Sequence, residues 1–272
     1  MDGSNKVFWH EAFFEALQLE FHQYQDALTF DSEYQLSKEA LIMDVLVVKK
    51  KPGQHIDKNI GRMLKAHNIF EYKSETDSLT QHDYNKVLAY ALLYSSFNQV
   101  AVSDITVTFA VTVHPRALIK YLEEERGFVV QISEPGIYYI KGDTFPIQIL
   151  ESKLLPPGKN LFLHNLRSNL SAEDVTTTID VYKTIKHYEQ KNVYLSRLAK
   201  ANNNAFSEAM HMSNALTELL MRAAIERPEW FREMSETYHK KEMAKKMLLK
   251  GFSFEDVVEI TELPSETVES LA

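Results

Sequence analysis

Leu41-Ile42-Met43-Asp44-Val45-Leu46-Val47-Val48 is an almost continuous apolar run, rich in β-branched residues and broken by one acid. Closed by Lys49-Lys50-Lys51-Pro52-Gly53, it reads as a buried strand. A lone carboxylate in such a strand is costly unless a metal, a cation or hydrogen bonds compensate it. A second strand follows at Ile69-Phe70-Glu71-Tyr72-Lys73-Ser74. Glu71 and Lys73 are two residues apart, so in a strand they share a face.

Working outward, Phe13, Leu17, Phe21 and Tyr24 mark an amphipathic helix over residues 8–24, and residues 27–36 suit a strand. Residues 54–66 are a polar, basic connection. Residues 78–97 form a helix whose apolar face is Tyr84, Val87, Leu88, Ala91 and Leu92. Ile105 to Val113 alternates threonine with apolar residues, as a sheet strand does. Pro115 favours a helix start, and Arg116 to Arg126 continues as a helix. His114 and Arg116 beside it suit the same helix start better than a phosphate contact. Phe128–Ile132 and Ile137–Ile140 form a hairpin across Glu134-Pro135-Gly136, and Phe145 to Leu150 is a last strand.

After Pro156-Pro157-Gly158 the character changes. Residues 170–250 contain one proline, Pro228, and no glycine, and read as helix broken at Asn202-Asn203-Asn204. Residues 239–271 read as three short helices. Gly251 ends the first, Ser253 caps the second with Asp256 three residues on, and Pro264-Ser265 starts the third. The expected organisation is an α/β domain over residues 1–157, a helical extension over 158–238 and a short three-helix tail over 239–272.

Composition narrows the chemistry. The absence of cysteine among 272 residues removes disulfides, thiolate metal sites and cysteine nucleophiles, and fits a reducing cytoplasm. Only 8 glycines argue against glycine-rich phosphate loops. The N-terminus lacks the pattern of a signal peptide. No apolar run reaches the roughly 18 residues of a membrane span, so no membrane partner is expected. The 10 histidines form no His-Glu-x-x-His pair, which makes a histidine zinc site a poor expectation. A net charge of -8 means that any nucleic-acid contact must use local patches or bound cations.

One account of Asp44, Glu71 and Lys73 is a hard divalent cation. Magnesium prefers oxygen ligands, commonly carboxylates with water and phosphate oxygens. Asp44 and Glu71 supply carboxylates, and the backbone carbonyl of Tyr72 adds a third oxygen. Lys73 then lies beside the metal-bound water and the attacked phosphate. The plainer account is a structural Glu71–Lys73 ion pair, with Asp44 capping a strand end.

The order helix, strand, strand with Asp44, strand with Glu71-Tyr72-Lys73, helix, strand resembles the PD-(D/E)XK nuclease core. Phe14-Glu15-Ala16-Leu17-Gln18-Leu19-Glu20-Phe21, Asp44-Val45-Leu46-Val47-Val48-Lys49-Lys50, Glu71-Tyr72-Lys73-Ser74 and Asp83-Tyr84-Asn85-Lys86-Val87 resemble its Rpn branch. That branch is described as recombination-promoting nucleases with transposase-like members. The tail from Ala244 to Pro264 is similar to tails in that group. Where the family pattern has a proline before its first acid, Met43 stands here.

The resemblance implies a restriction-endonuclease-like mixed sheet flanked by helices and followed by an α-helical extension. It implies a magnesium-dependent DNA endonuclease, with manganese as a substitute metal. Asp44 and Glu71 would be its metal ligands, and Lys73 its catalytic lysine. Glu20 is the first-helix acid that would complete the site, with Glu15 behind it. Lys49, Lys50, Lys51 and Lys86 are candidate DNA contacts, set against an ordinary charged hairpin and a solvated lysine. The alternative is a catalytically inactive nuclease-like protein acting in DNA binding or assembly. The acidic last helix favours protein contacts or self-association in the C-terminal region over DNA reading. Met210, Met212, Leu216, Leu219, Leu220 and Met221 are spaced as a packed helical seam.

Overall fold

The structure, a computed structural model, describes residues 9–31, 46–186, 192–212, 240–241 and 243–271. The stretch carrying Asp44 and most of the helical seam lie outside the described residues. The described residues fall into two compact units. One runs to Ser168 and includes Asp180–Leu198; the other holds Asn169–Ile179 and the residues from Ala199 on.

The first unit begins with α1 (His10–Glu20), β1 (Leu28–Asp31), β2 (Leu46–Lys50), β3 (His67–Lys73), α2 (Gln81–Asn98) and β4 (Ile105–Val111). It continues with α3 (Arg116–Glu124), β5 (Val129–Glu134), β6 (Ile137–Lys141), β7 (Ile147–Glu151) and α4 (Pro157–His164). The strands form one mixed sheet of seven, in the order β1-β2-β3-β4-β7-β6-β5. This is the expected α/β class, a mixed sheet flanked by helices with further helices after it. The centre, β3-β4-β7, is parallel, and antiparallel strands complete it on both sides.

Parallel strands are covered on both faces and therefore read as apolar runs. All seven residues of β4 are buried. One face carries Val47, Ile69, Val107, Phe109, Ile147 and Ile149, packed under Tyr84, Val87, Ala91 and Tyr94 of α2 and Leu118 and Leu122 of α3. The stripe of α2 is thus shifted from expectation. Tyr94 is buried, while Leu92 is 51% exposed, because it stands eight residues after Tyr84 and the helix has turned it off the sheet. On the other face, Tyr72 stacks on Phe13 of α1 at 4.7 Å.

That second face also holds buried polar groups. Asn68 Nδ2 donates to Val48 O and Lys65 O, and its Oδ1 accepts from Lys65 N and Thr106 Oγ1. Gln148 Nε2 donates to Ile60 O and Thr108 Oγ1. The connection 54–66 is therefore no loose charged loop. Ile56, Ile60 and Leu64 are buried, and a Cβ on Gly61 would collide with Ile56 Cγ2. Lys49 and Lys50, expected to end β2, lie within it.

Beyond the sheet, helices α5 (Ala172–Thr184), α6 (Asn192–Ala201) and α7 (Asn203–Met212) follow, with the break at Asn202. In the second unit, residues 243–249 are helical, followed by α8 (Phe254–Thr261) and α9 (Ser265–Glu269). Ala244, Val257, Leu263 and Val268 form their small core. Gly251 takes φ +82°, and Ser253 Oγ caps α8 by accepting from Asp256 N, as the sequence leads one to expect.

Asn68→Ala strips partners from four polar groups, two of them in buried contacts. A loss of about 2–4 kcal/mol is expected in urea unfolding. A change under about 0.5 kcal/mol, the size of an ordinary surface substitution, would show that the connection is held otherwise.

Candidate active site

The carboxyl end of β3 carries the densest charge among the described residues of the first unit. Glu71 and Lys73 project from the face that packs under α2. The Glu71 side chain is 2% exposed and that of Lys73 10%. Lys73 Nζ lies 2.9 Å from Asp83, 3.3 Å from Asp77 and 3.5 Å from Glu71. Lys86 Nζ is 4.0 Å from the same Glu71 oxygen.

Local sequence explains how these groups meet. Thr80 is the N-cap of α2, and its side chain accepts from Asp83 N, while Asp83 accepts from Thr80 N. This capping box satisfies free N–H groups at the helix start and fixes the Asp83 rotamer. Lys86 is three residues further along the helix, hence on the same side as Asp83. Burial pushes the Asp83 carboxyl up, but the Thr80 hydrogen bonds and Lys73 outweigh it and hold the group at about 2. Burial likewise opposes the charged form of Lys73. The Asp83 hydrogen bond and the charges of Glu71, Asp83 and Asp77 prevail and raise it to about 12. Lys73 is therefore an ammonium at neutral pH. It can donate hydrogen bonds and oppose negative charge, but it cannot accept a proton.

Of the expected site residues, the structure brings together Glu71, Lys73 and Lys86. Tyr72 lies between them in β3, with its side chain on the opposite face and its hydroxyl at Thr112 and Leu166 O. Glu20 lies on α1, which packs on that opposite face. It pairs with Lys58 at 2.7 Å and accepts from Leu163 N at 2.9 Å. Burial raises its carboxyl, and Lys58 only partly offsets this. Glu15 accepts from Tyr194 N at 2.5 Å. Lys49 pairs with Asp31 at 2.9 Å and stands opposite His67, at the other end of β3. Six strand residues, about 20 Å, separate that level from Lys73. Lys49, Lys50 and Lys51 are thus not part of this cluster.

Asp77 and Asp83 are members that sequence reasoning did not assign. Thr80-x-x-Asp83 is a legible capping signal, but it announces a helix start rather than an ion partner. A hard cation suits carboxylate oxygens. Among the described residues, however, no group of three His, Asp or Glu is arranged to hold a metal. The Lys73 ammonium is already the cation facing Glu71, Asp77 and Asp83. A magnesium set here would rest on Glu71 and on Asp44, which lies outside the described residues.

Asp83 contributes stability that is complete above its ordinary value of 3.8 and is lost as pH falls through about 2. That gap corresponds to about 2 kcal/mol. Asp83→Asn should flatten the fall in urea midpoint between about pH 5 and pH 2. Equal falls in variant and wild type would refute the pairing.

No family model, no curated protein and no solved structure matches this chain.

Proposed function

We propose that this chain is a metal-dependent DNA endonuclease of the PD-(D/E)XK type, Rpn branch, hydrolysing phosphodiester bonds in the cytoplasm. The observation that carries the reading is the pairing of buried Glu71 with a Lys73 held as an ammonium. The pair sits at the carboxyl end of a central strand, and the surrounding element order is α1-β1-β2-β3-α2-β4. Ligands of open α/β sheets collect at such strand ends.

In this reading Asp44 and Glu71 hold magnesium or manganese, with the Tyr72 carbonyl as a further oxygen. The bound cation supplies Lewis acidity and a more acidic water. Lys73 orients the attacking water and opposes the charge that builds on the phosphate oxygens. Being already protonated, it takes no proton. Asp83 and Asp77 hold the ammonium in place. Lys86, 40% exposed beside Glu71, meets a neighbouring phosphate. Lys49, Lys50 and Lys51 serve at most as a separate backbone contact, about 20 Å away along the sheet.

A second reading is a nuclease-like protein without catalysis, acting in DNA binding or in assembly through its helical C-terminal region. It is favoured by the closure of the charge cluster. Lys73 already has three carboxylate partners, so the ions are accounted for as a structural unit.

Supercoiled plasmid at low salt separates the two. The nuclease reading expects nicking with magnesium or manganese, none with EDTA, and none by Asp44→Ala or Glu71→Gln. Lys73→Met should cost about 10²–10³-fold in rate. Intact plasmid with the wild type under both metals would leave the second reading. Cleavage that persists in both carboxylate variants would show that the site is misplaced.

A further inference from the structure

Two strands away from Lys73, at the same level of the sheet, lies a second polar group. Lys73 of β3 stands opposite Val111 of β4, and Val111 stands opposite Glu151 of β7. Residues in register on neighbouring strands share a face, so Glu151 projects on the side of Glu71 and Lys73. At about 4.8 Å per strand, the Cα atoms of Lys73 and Glu151 are about 10 Å apart.

The Glu151 carboxylate, 11% exposed, receives two hydrogen bonds. Tyr138 donates its hydroxyl at 2.9 Å, and His114 Nδ1 lies at 2.7 Å. An ionised carboxylate only accepts, so Nδ1 carries the proton in this contact. The Tyr138 ring meets the imidazole edge-on at 5.5 Å. Burial, and then the bond to Glu151, push the Tyr138 hydroxyl up to about 12, which keeps it a donor. Among the described residues nothing engages His114 Nε2, and the side chain is 34% exposed. Glu151 of β7, Tyr138 of β6 and, two residues along its own segment, Arg116 are the titratable or charged groups around it.

An imidazole fixed through one nitrogen by a carboxylate, with the other nitrogen left for a ligand, is arranged for proton transfer. Building on the nuclease reading, we propose that His114 donates the proton to the leaving oxygen of the cleaved phosphodiester, with Glu151 and Tyr138 as positioning residues. In-line displacement places the attacking and leaving oxygens on opposite sides of phosphorus. The Lys73 and Glu151 levels, about 10 Å apart between Cα atoms, lie on one face of the sheet and leave room for a phosphodiester between the lysine and the imidazole. The water oxygen bonds to phosphorus and gives its proton to solvent. The bond from phosphorus to the 3′ oxygen breaks, and that oxygen takes the Nε2 proton of His114, which enters the step as imidazolium and is left as the neutral Nδ1–H imidazole. His114 regains a proton from solvent, and the products are a 5′ phosphate and a 3′ hydroxyl.

The test uses the full chain and a duplex containing a linkage that the wild type cuts, made once with 3′ oxygen and once with 3′ sulfur. A thiolate leaves without a proton. His114→Gln should cut the oxygen duplex at least about 100-fold more slowly and the sulfur duplex at the wild-type rate, which also reports correct folding. Tyr138→Phe, the milder variant, should lose rate on oxygen alone. Equal losses on both duplexes, or no loss on either while Glu71→Gln is inactive, overturn this proposal and leave the nuclease reading standing. Failure of the wild type to cut any DNA removes both. A readout without metal or substrate is the long-range ¹H–¹⁵N spectrum of His114. Its neutral form should carry the proton on Nδ1, and a proton on Nε2 overturns the assignment.

Discussion

An ammonium group with only about a tenth of its side chain in water carries a desolvation cost of several kcal/mol unless its charge is matched. Lys73 is matched three times, and each match constrains a different piece of chain. Glu71 must share its face of β3. Asp77 must sit on the turn that leaves the strand. Asp83 must stand at the start of α2 with its rotamer fixed by Thr80. The direction in which α2 leaves the strand follows from these contacts, and so does the placement of Tyr84, Val87, Ala91 and Tyr94 over the sheet.

The two faces of the sheet carry different tasks. Under α2 and α3, apolar side chains fill the middle and charged ones collect at the strand ends. On the face of Tyr72, Asn68, Thr106, Thr108 and Gln148 form a buried polar band with no water contact. Their hydrogen bonds reach the backbone of the connection 54–66 and bind it to the sheet. Glu20 belongs to that second face, where its charge is answered by Lys58 and by the Leu163 N–H.

Much of the architecture is legible in the sequence because it depends on period and punctuation. Strands β3, β4, β6 and β7 announce themselves as short apolar runs, and helix α2 by its stripe. What escapes is whatever depends on partners remote in the chain. Glu20 reads as an available acid because Leu163, which donates to it, is 143 residues away. The run Lys49-Lys50-Lys51 looks adjacent to the motif strands. The antiparallel turn from β2 to β3 carries it to the opposite end of the sheet. At the site, Glu71-x-Lys73 is visible as a pair, and Lys86 is visible as a neighbour. Asp83 is hidden by its capping role, and Glu151 by its distance from both motif strands.

The strand order has a kinetic consequence. β4 completes the parallel pair with β3 as soon as α2 has crossed over, but its other edge is covered only by β7. The whole stretch Thr112–Pro146 must be made first, on the order of a few seconds at ribosomal speed. During that interval the seven apolar and threonine residues of β4 form an open edge able to accept a foreign strand. The hairpin β5–β6, formed from local contacts, is ready before β7 emerges and delivers it to the sheet. Yield in the cell then depends on how long that edge stays open before β7 docks, as well as on the final stability of the sheet.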